Sequence, residues 1–432
     1  MPPPTLSTRI QDDIEWFNGK FMRHVNKERS AWPAPIDLGT AENWLIRDEV
    51  VAMIKDATSD FPTHLLSYAK GLGGPDDFLE ATSNFFNNFF HPLVPVKPEH
   101  IVSGPGASTL LETLFYCICE KGDGILVEAP FWGSFGVYST VRNNVSLVPV
   151  GVPPSVTDVG KYVSYFEDAV RNSKCRIRGI LFCNPQNPQG HLHRRDMTEG
   201  LLRFCEEADL HFISDELYAL STFGRVPACH DSGGSGSLKI TESPEDTFTS
   251  LLQIDLDRLR VDASRVHVIY SISKDLGSSG LRMGLFATQA NPELRYCMAI
   301  LNFNRVSTAT FLITTRLLSN TSELKALLDL GRSRLASAAS LVVEFLSYHR
   351  IPFYRPVAGV YVWAKFGQCG CTWEDERKLA STLATGGVFV GTGEDYSNLE
   401  PGWLRLSFAI PRESLTMALH RIEEALEFDT MS

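Results

Sequence analysis

Two rhythms of apolar and polar residues alternate through most of the chain. Short, mainly apolar runs at 124–130, 178–183, 210–214 and 265–270 end abruptly in polar residues, the pattern of strands buried on both faces. Between them, 107–120, 162–174 and 197–208 carry apolar residues three and four apart, the period of a helix with one buried side. Strands alternating with helices predict an α/β fold with a mostly parallel sheet. A short strand ending at Ser103 turns through Gly104 and Gly106 into the first of these helices, and a further strand is expected at 285–288. Residues 149–154, with Pro149, Pro153 and Pro154, read as an exposed connection. After about Asn302 the texture becomes helix-rich, with helices expected at 311–318, 322–330 and 332–349, followed by strand-like 360–364. The expected organisation is an N-terminal arm and helix joining a small domain (1–55), a large domain (56–300) and a C-terminal small α+β domain (301–432). Residues 228–250, with Gly233, Gly234 and Gly236, look like a surface insertion.

Bulk properties narrow the function without naming it. The chain has 432 residues, 44% of them apolar, enough for more than one core. A net charge of -11 argues against nucleic acid or an anionic membrane as partner. Nine cysteines are scattered, mostly in apolar runs, and Cys369 and Cys371 lack a second pair to complete a zinc site. That usage fits a reducing compartment. The first residues, Met1-Pro2-Pro3-Pro4-Thr5, have no basic or apolar signal character. No stretch approaches the ~18 apolar residues of a membrane span. A soluble, cytoplasmic protein is expected.

The chemistry gathers where the apolar runs end. After 265–270 come Ser271-Ile272-Ser273-Lys274-Asp275-Leu276-Gly277-Ser278-Ser279-Gly280-Leu281-Arg282-Met283-Gly284. Hydroxyls, backbone N–H groups and an Arg fork suit a phosphate, and a lysine beside them can condense with an aldehyde. The alternative is a surface turn with incidental charges. Gly106-Ala107-Ser108 opens a helix, whose free N–H groups form a second anion site. Asp215 ends an apolar strand, where a carboxylate needs a partner unless it merely caps a helix. Tyr218 follows three residues later. Asn184-Pro185-Gln186-Asn187-Pro188-Gln189-Gly190 is a rigid turn that presents the Asn187 amide. Trp132 reads by itself as a core side chain. By themselves, Glu42 reads as a helix N-terminal carboxylate and Tyr68 as a half-buried aromatic. Arg405, alternating with Leu404 and Leu406, reads by itself as a solvent-facing strand residue. Asn187, Asp215, Tyr218, Ser271 and Lys274 all follow strand ends, where α/β sheets bind ligands.

The lysine segment resembles the S-x-S-K-D-x-G-x-x-G-x-R-x-G signature of class I/II aminotransferases, which bind pyridoxal 5′-phosphate (PLP), and above all that of 1-aminocyclopropane-1-carboxylate (ACC) synthases. Leu38-Gly39-Thr40-Ala41-Glu42-Asn43-Trp44-Leu45, Asn184 to Gly190 and Glu400-Pro401-Gly402-Trp403-Leu404-Arg405 are similar to further blocks of that family, in order. Phe131-Trp132-Gly133-Ser134-Phe135-Gly136 departs from the P-Y-Y-P-G-F-D segment of ACC synthases. The resemblance implies fold type I and a homodimer whose active sites share residues. It implies that Lys274 carries PLP and that Trp132 stacks on its ring. Asp215 would pair with the ring nitrogen, and Asn187 and Tyr218 would bind the phenolate oxygen. Gly106, Ala107, Ser108, Ser271, Ser273 and Arg282 would surround the phosphate. Arg405 and Glu42 would meet the substrate, and Tyr68 would reach a partner's catalytic site. Three activities stay open: an ACC-synthase-like lyase cleaving a C–S bond, an aminotransferase, and a catalytically silent PLP-fold binding protein.

Overall fold

The structure is a computed structural model that describes residues 6–20, 35–226, 247–429 and 431. Helix α1 (Thr8–Lys20) precedes β1 (Ile36–Asp37), α2 (Arg47–Ala57) and α3 (Asp76–Phe89). The alternating region follows as β2 (Ile101–Gly104), α4 (Ala107–Ile118), β3 (Gly124–Ala129), α5 (Phe135–Thr140), β4 (Ser146–Gly151), α6 (Val159–Asn172), β5 (Ile177–Cys183), α7 (Arg195–Glu207) and β6 (His211–Asp215). Next come α8 (Leu256–Leu259), β7 (Val266–Ser271), α9 (Ile272–Asp275), β8 (Gly284–Ala287), α10 (Pro292–Leu301), α11 (Thr308–Ser319) and α12 (Thr321–Tyr348). The last part holds β9 (Phe353–Tyr354), β10 (Tyr361–Lys365), α13 (Trp373–Thr385), β11 (Val388–Phe389), β12 (Gly391–Thr392), β13 (Trp403–Ser407) and α14 (Arg412–Ala425).

A seven-stranded sheet runs in the order β2-β8-β7-β6-β5-β3-β4, with β8 alone antiparallel to its neighbours. The expected α/β class is therefore observed. Its continuous apolar runs serve two layers at once, because successive side chains point to opposite faces. Ile180, Phe182, Phe212, Val268 and Tyr270 enter one core. Leu181, Ile213 and Ile269 enter the other, beneath α4 and α10. Since β5, β6 and β7 are parallel, Cys183, Asp215 and Ser271 end at the same edge of the sheet. Pairing of Gly104 and Ser271 with Gly284 brings the Gly106 turn and Arg282 to that edge too.

A second, antiparallel sheet, β12-β13-β10-β9, sets Arg405 opposite Trp363. Strand β1 pairs with β11, and the chain then crosses toward the lysine edge. Two sequence expectations need correction. Residues 149–151 are not a connection but the end of β4, an edge strand, where a proline's missing N–H costs no ladder bond. The helices expected at 322–330 and 332–349 are one helix, α12. Its first half buries Leu324, Leu327 and Leu328 in the large core, and its second buries Leu335, Val342 and Leu346 in the small one. That burial outweighs the roughly 1 kcal/mol that Gly331 costs a helix. Most of the 228–250 insertion lies outside the described residues; at its end Ser250 is buried, hydrogen-bonded to Glu216 at 2.7 Å.

Candidate active site

Strand β7 delivers the lysine turn. Ser271 Oγ donates to the Met283 carbonyl at 2.7 Å and lies 2.7 Å from Ser273 Oγ, which fixes both hydroxyls. Lys274 Nζ donates to the Ala41 carbonyl at 2.6 Å. Burial, then the charges of Arg405 and Arg282, pull the Lys274 amine down to about 8, against partial opposition from Glu42 and Asp215. An amine in that range carries a usable uncharged fraction near neutrality. Asp275 accepts from Ser221 Oγ at 2.5 Å and Leu220 N at 3.0 Å, binding the lysine turn to the segment that carries Tyr218.

Asp215 is buried at the end of β6, and its carboxylate's one described hydrogen bond comes from Leu217 N at 3.3 Å. Burial pushes its carboxyl up to about 7, held back by that bond and by Lys274. Tyr218 is buried edge-on to Tyr361, ring centres 5.2 Å apart. Arg405 is buried, not solvent-facing. It donates to Asn187 Oδ1 at 2.9 Å and to the Gly39 carbonyl, and lies over the rings of Tyr361 and Tyr396 at 5.1 and 4.7 Å. Its Nε is buried with no partner among the described residues. A buried guanidinium short of an acceptor is suited to a carboxylate.

At the next corner, Arg282 donates to the Ser279 carbonyl at 2.9 Å, the Pro105 carbonyl at 3.3 Å and Ser108 Oγ at 3.4 Å. Gly106, with φ +91°, precedes α4 and offers no capping side chain, so the N–H groups at Ala107 and Ser108 face outward from the helix start. A Cβ at position 106 would collide with the Arg282 guanidinium.

Glu42 lies five residues before α2, which removes the helix-terminus reading. It pairs with Arg47 at 2.6 Å and accepts from the Ser279 hydroxyl. Burial alone would raise its carboxyl; hydrogen bonds from Ser279 and Arg47 and the charges of Arg47 and Lys274 hold it below the usual range. Trp132 is half-buried on the loop after β3, against Phe135 at 5.3 Å and Tyr138 at 6.1 Å. Tyr68 is 85% exposed, and no described hydrogen bond or ring contact joins it to the other candidates. The carbonyls of Gly39 and Ala41 were not legible in the sequence, since a backbone atom has no residue-type signal. Ser279, Tyr361 and Tyr396 carried none specific enough to single them out.

The model of the family described as aminotransferase class I and II matches residues 42–422. The chain belongs to that family. Among relatives, it is 43% identical to the probable aminotransferase gliI of Aspergillus fumigatus over 98% of this chain and 96% of that protein. It is 28% identical to 1-aminocyclopropane-1-carboxylate synthase 6 of Oryza sativa subsp. japonica over 86% of this chain and 69% of that one. Its fold matches a single mutant of Thermus thermophilus aspartate aminotransferase with a TM-score of 0.75 at 22% identity, covering 97% of this chain and 99% of that one.

Class I and II aminotransferases work with pyridoxal 5′-phosphate, which is the cofactor here, and the residues present fit it. Outward N–H groups, hydroxyls and the Arg282 fork suit its phosphate. A buried carboxylate with a single long hydrogen bond suits a protonated ring nitrogen. Asn187 Oδ1 is taken by Arg405, which leaves the amide Nδ2 to donate to a phenolate oxygen. Gly106→Ala should force Arg282 out of this corner. We expect cofactor affinity, read by absorbance titration, to fall about tenfold or more; an unchanged affinity would remove Gly106 from the phosphate site.

Proposed function

We propose that this aminotransferase-family chain is an ACC-synthase-like lyase that removes the α-proton of an amino-acid substrate and then breaks a C–S bond. The bond lies at the γ-carbon of S-adenosylmethionine or at the β-carbon of an S-substituted cysteine. The observation that carries this reading is the path of the ACC-synthase-like N-terminal block. It crosses the site with the Gly39 carbonyl on Arg405, the Ala41 carbonyl on Lys274 and the Glu42 carboxylate coupled to the same amine.

In this reading PLP supplies the sink for charge left on Cα. Arg405 holds the substrate's α-carboxylate, filling the partner that its Nε lacks. Lys274 binds the cofactor, takes the α-proton and, in β-elimination, returns it to the departing sulfur. Asp215 keeps a proton on the ring nitrogen, Asn187 and Tyr218 hold the phenolate oxygen, and Trp132 stacks on the ring. Gly106, Ala107, Ser108, Ser271, Ser273 and Arg282 grip the phosphate. Glu42, kept ionised by Arg47 and Ser279, faces the substrate. A homodimer brings Tyr68 into the partner's site; exposed Leu66, Tyr68, Tyr116, Tyr296 and Phe303 supply apolar surface for it.

An S-substituted cysteine and water should give thiol, pyruvate and ammonium in equal amounts; S-adenosylmethionine should give methylthioadenosine. The second reading, an aminotransferase, is favoured by the name of the 43% identical relative. It requires 2-oxo acid formation that depends on an added 2-oxo acid acceptor, with the sulfur retained. Mass spectrometry of products from both substrates, with and without acceptor, separates the two, and sulfur retention throughout would refute the lyase.

A further inference from the structure

Arg405 shares its surroundings with a turn of the smaller sheet that the proposed reaction does not use. Residues 393–402 join β12 to β13, and both ends of this stretch are tied to one buried carboxylate. Glu376, fully buried, accepts from Glu394 N at 2.8 Å and Gly402 N at 2.6 Å. Within the turn, Thr392 Oγ1 donates to Asp395 Oδ2 at 2.8 Å, and Tyr396 N donates to the Gly393 carbonyl at 3.1 Å. The Tyr396 ring is thereby laid against Trp363, ring centres 5.4 Å apart, and against the Arg405 guanidinium at 4.7 Å.

The turn also reaches the larger sheet. Tyr396 O accepts from Phe131 N at 2.9 Å. Gly133, two residues on, faces the Asp395 carbonyl so closely that a Cβ there would overlap it. Position 133 lies in the segment that departs from the ACC-synthase pattern, and a small residue is what lets the two backbones meet. At the ring itself, a Cβ at Gly391 would come within 2.8 Å of Tyr396 Cε2. Glycines thus make room for the ring at position 391 and for the Asp395 carbonyl at position 133.

We propose that Tyr396 is a positioning residue that sets the Arg405 guanidinium, and that its place is fixed by the Phe131–Gly133 backbone. The carboxylate clamp and the Trp132 loop are then aligned as one unit. The inference rests on Arg405 being the carboxylate clamp. A cation against an aromatic face is attracted to it, and a guanidinium has to be held in plane to bind a carboxylate with two parallel bonds. Glu376 acts one step further out, through the backbone of the turn.

The test uses the PLP-loaded enzyme and two carbonyl reagents, aminooxyacetate, which carries a carboxylate, and methoxyamine, which does not. Both attack the bound cofactor's aldehyde carbon, so the ratio of their rates reads the clamp and is insensitive to a general loss of fold or cofactor. Tyr396→Leu and Gly133→Ala should each lower that ratio about tenfold or more, the scale of a small misplacement in a binding group. Tyr396→Phe, which keeps ring and backbone, should leave it near the starting value. In Gly133→Ala the Phe131 amide should also exchange faster with deuterium. Arg405→Lys separates the two levels of the argument. If it lowers the ratio while Tyr396→Leu and Gly133→Ala do not, the positioning role is wrong and the clamp stands. If Arg405→Lys leaves the ratio unchanged, the clamp reading and the positioning role fall together.

Discussion

Lys274→Ala is expected to lower turnover by more than about 10³-fold, whichever reaction the enzyme performs, because one amine serves as both covalent anchor and base. Among the described residues, the charged neighbours of this amine offer no replacement. The Glu42 carboxylate is occupied by Arg47 and Ser279, and Asp215 faces a ring nitrogen in the proposed arrangement. Arg405 and Arg282, whose charges help bring the Lys274 amine down to about 8, do not accept protons at working pH. The variant should still fold, since the amine's described hydrogen bond is a single one to the Ala41 carbonyl. Borohydride should label Lys274 in the parent enzyme, and the label should vanish in the variant. Turnover within tenfold of the parent would overturn the assignment. So would labelling of another lysine in the parent.

Asp215→Asn should separate catalysis from stability. Turnover should fall about 10²- to 10³-fold, the scale of losing one preorganised electrostatic partner. The cofactor-free protein should hold its stability or gain, because an unpaired buried carboxylate is replaced by a neutral amide. The pH dependence gives the sign. The Asp215 carboxyl is raised from 3.8 to about 7 by burial, so between those values the folded chain binds a proton that the unfolded chain does not. Its contribution is present below about 4 and is lost as pH rises through 7. Glu128, Glu216 and Asp275, also buried and raised to about 7, add slopes of the same sign. The Tm of the cofactor-free Asn variant should therefore fall less steeply over this window than that of the parent. Parallel curves would show that Asp215 does not carry a raised carboxyl in the folded chain.

Much of this site could be read from the sequence because strand ends are sharp features. Apolar runs at 210–214 and 265–270 stop at Asp215 and at Ser271, and a parallel sheet brings such ends to one edge. Arg405 was legible only through the block around it; its alternation with Leu404 and Leu406 suits an exposed residue equally well, and what buries it is the crossing of residues 38–46 and two tyrosines. The carbonyls of Gly39 and Ala41 left no trace, because their contribution depends on chain path and not on side chains. The division expected between 322–330 and 332–349, at Gly331, did not occur. Low helix propensity is a local quantity, whereas the continuity of α12 is decided by leucines buried on either side of it.

That helix joins the two interiors as a single axle. Gly331, which bears no side chain, stands where one interior hands over to the other, and residues 38–46 and 218–226 make the same crossing beside it. A shift of one interior against the other would thus bend this rod and, through 38–46, disturb the carbonyls that hold Arg405 and Lys274.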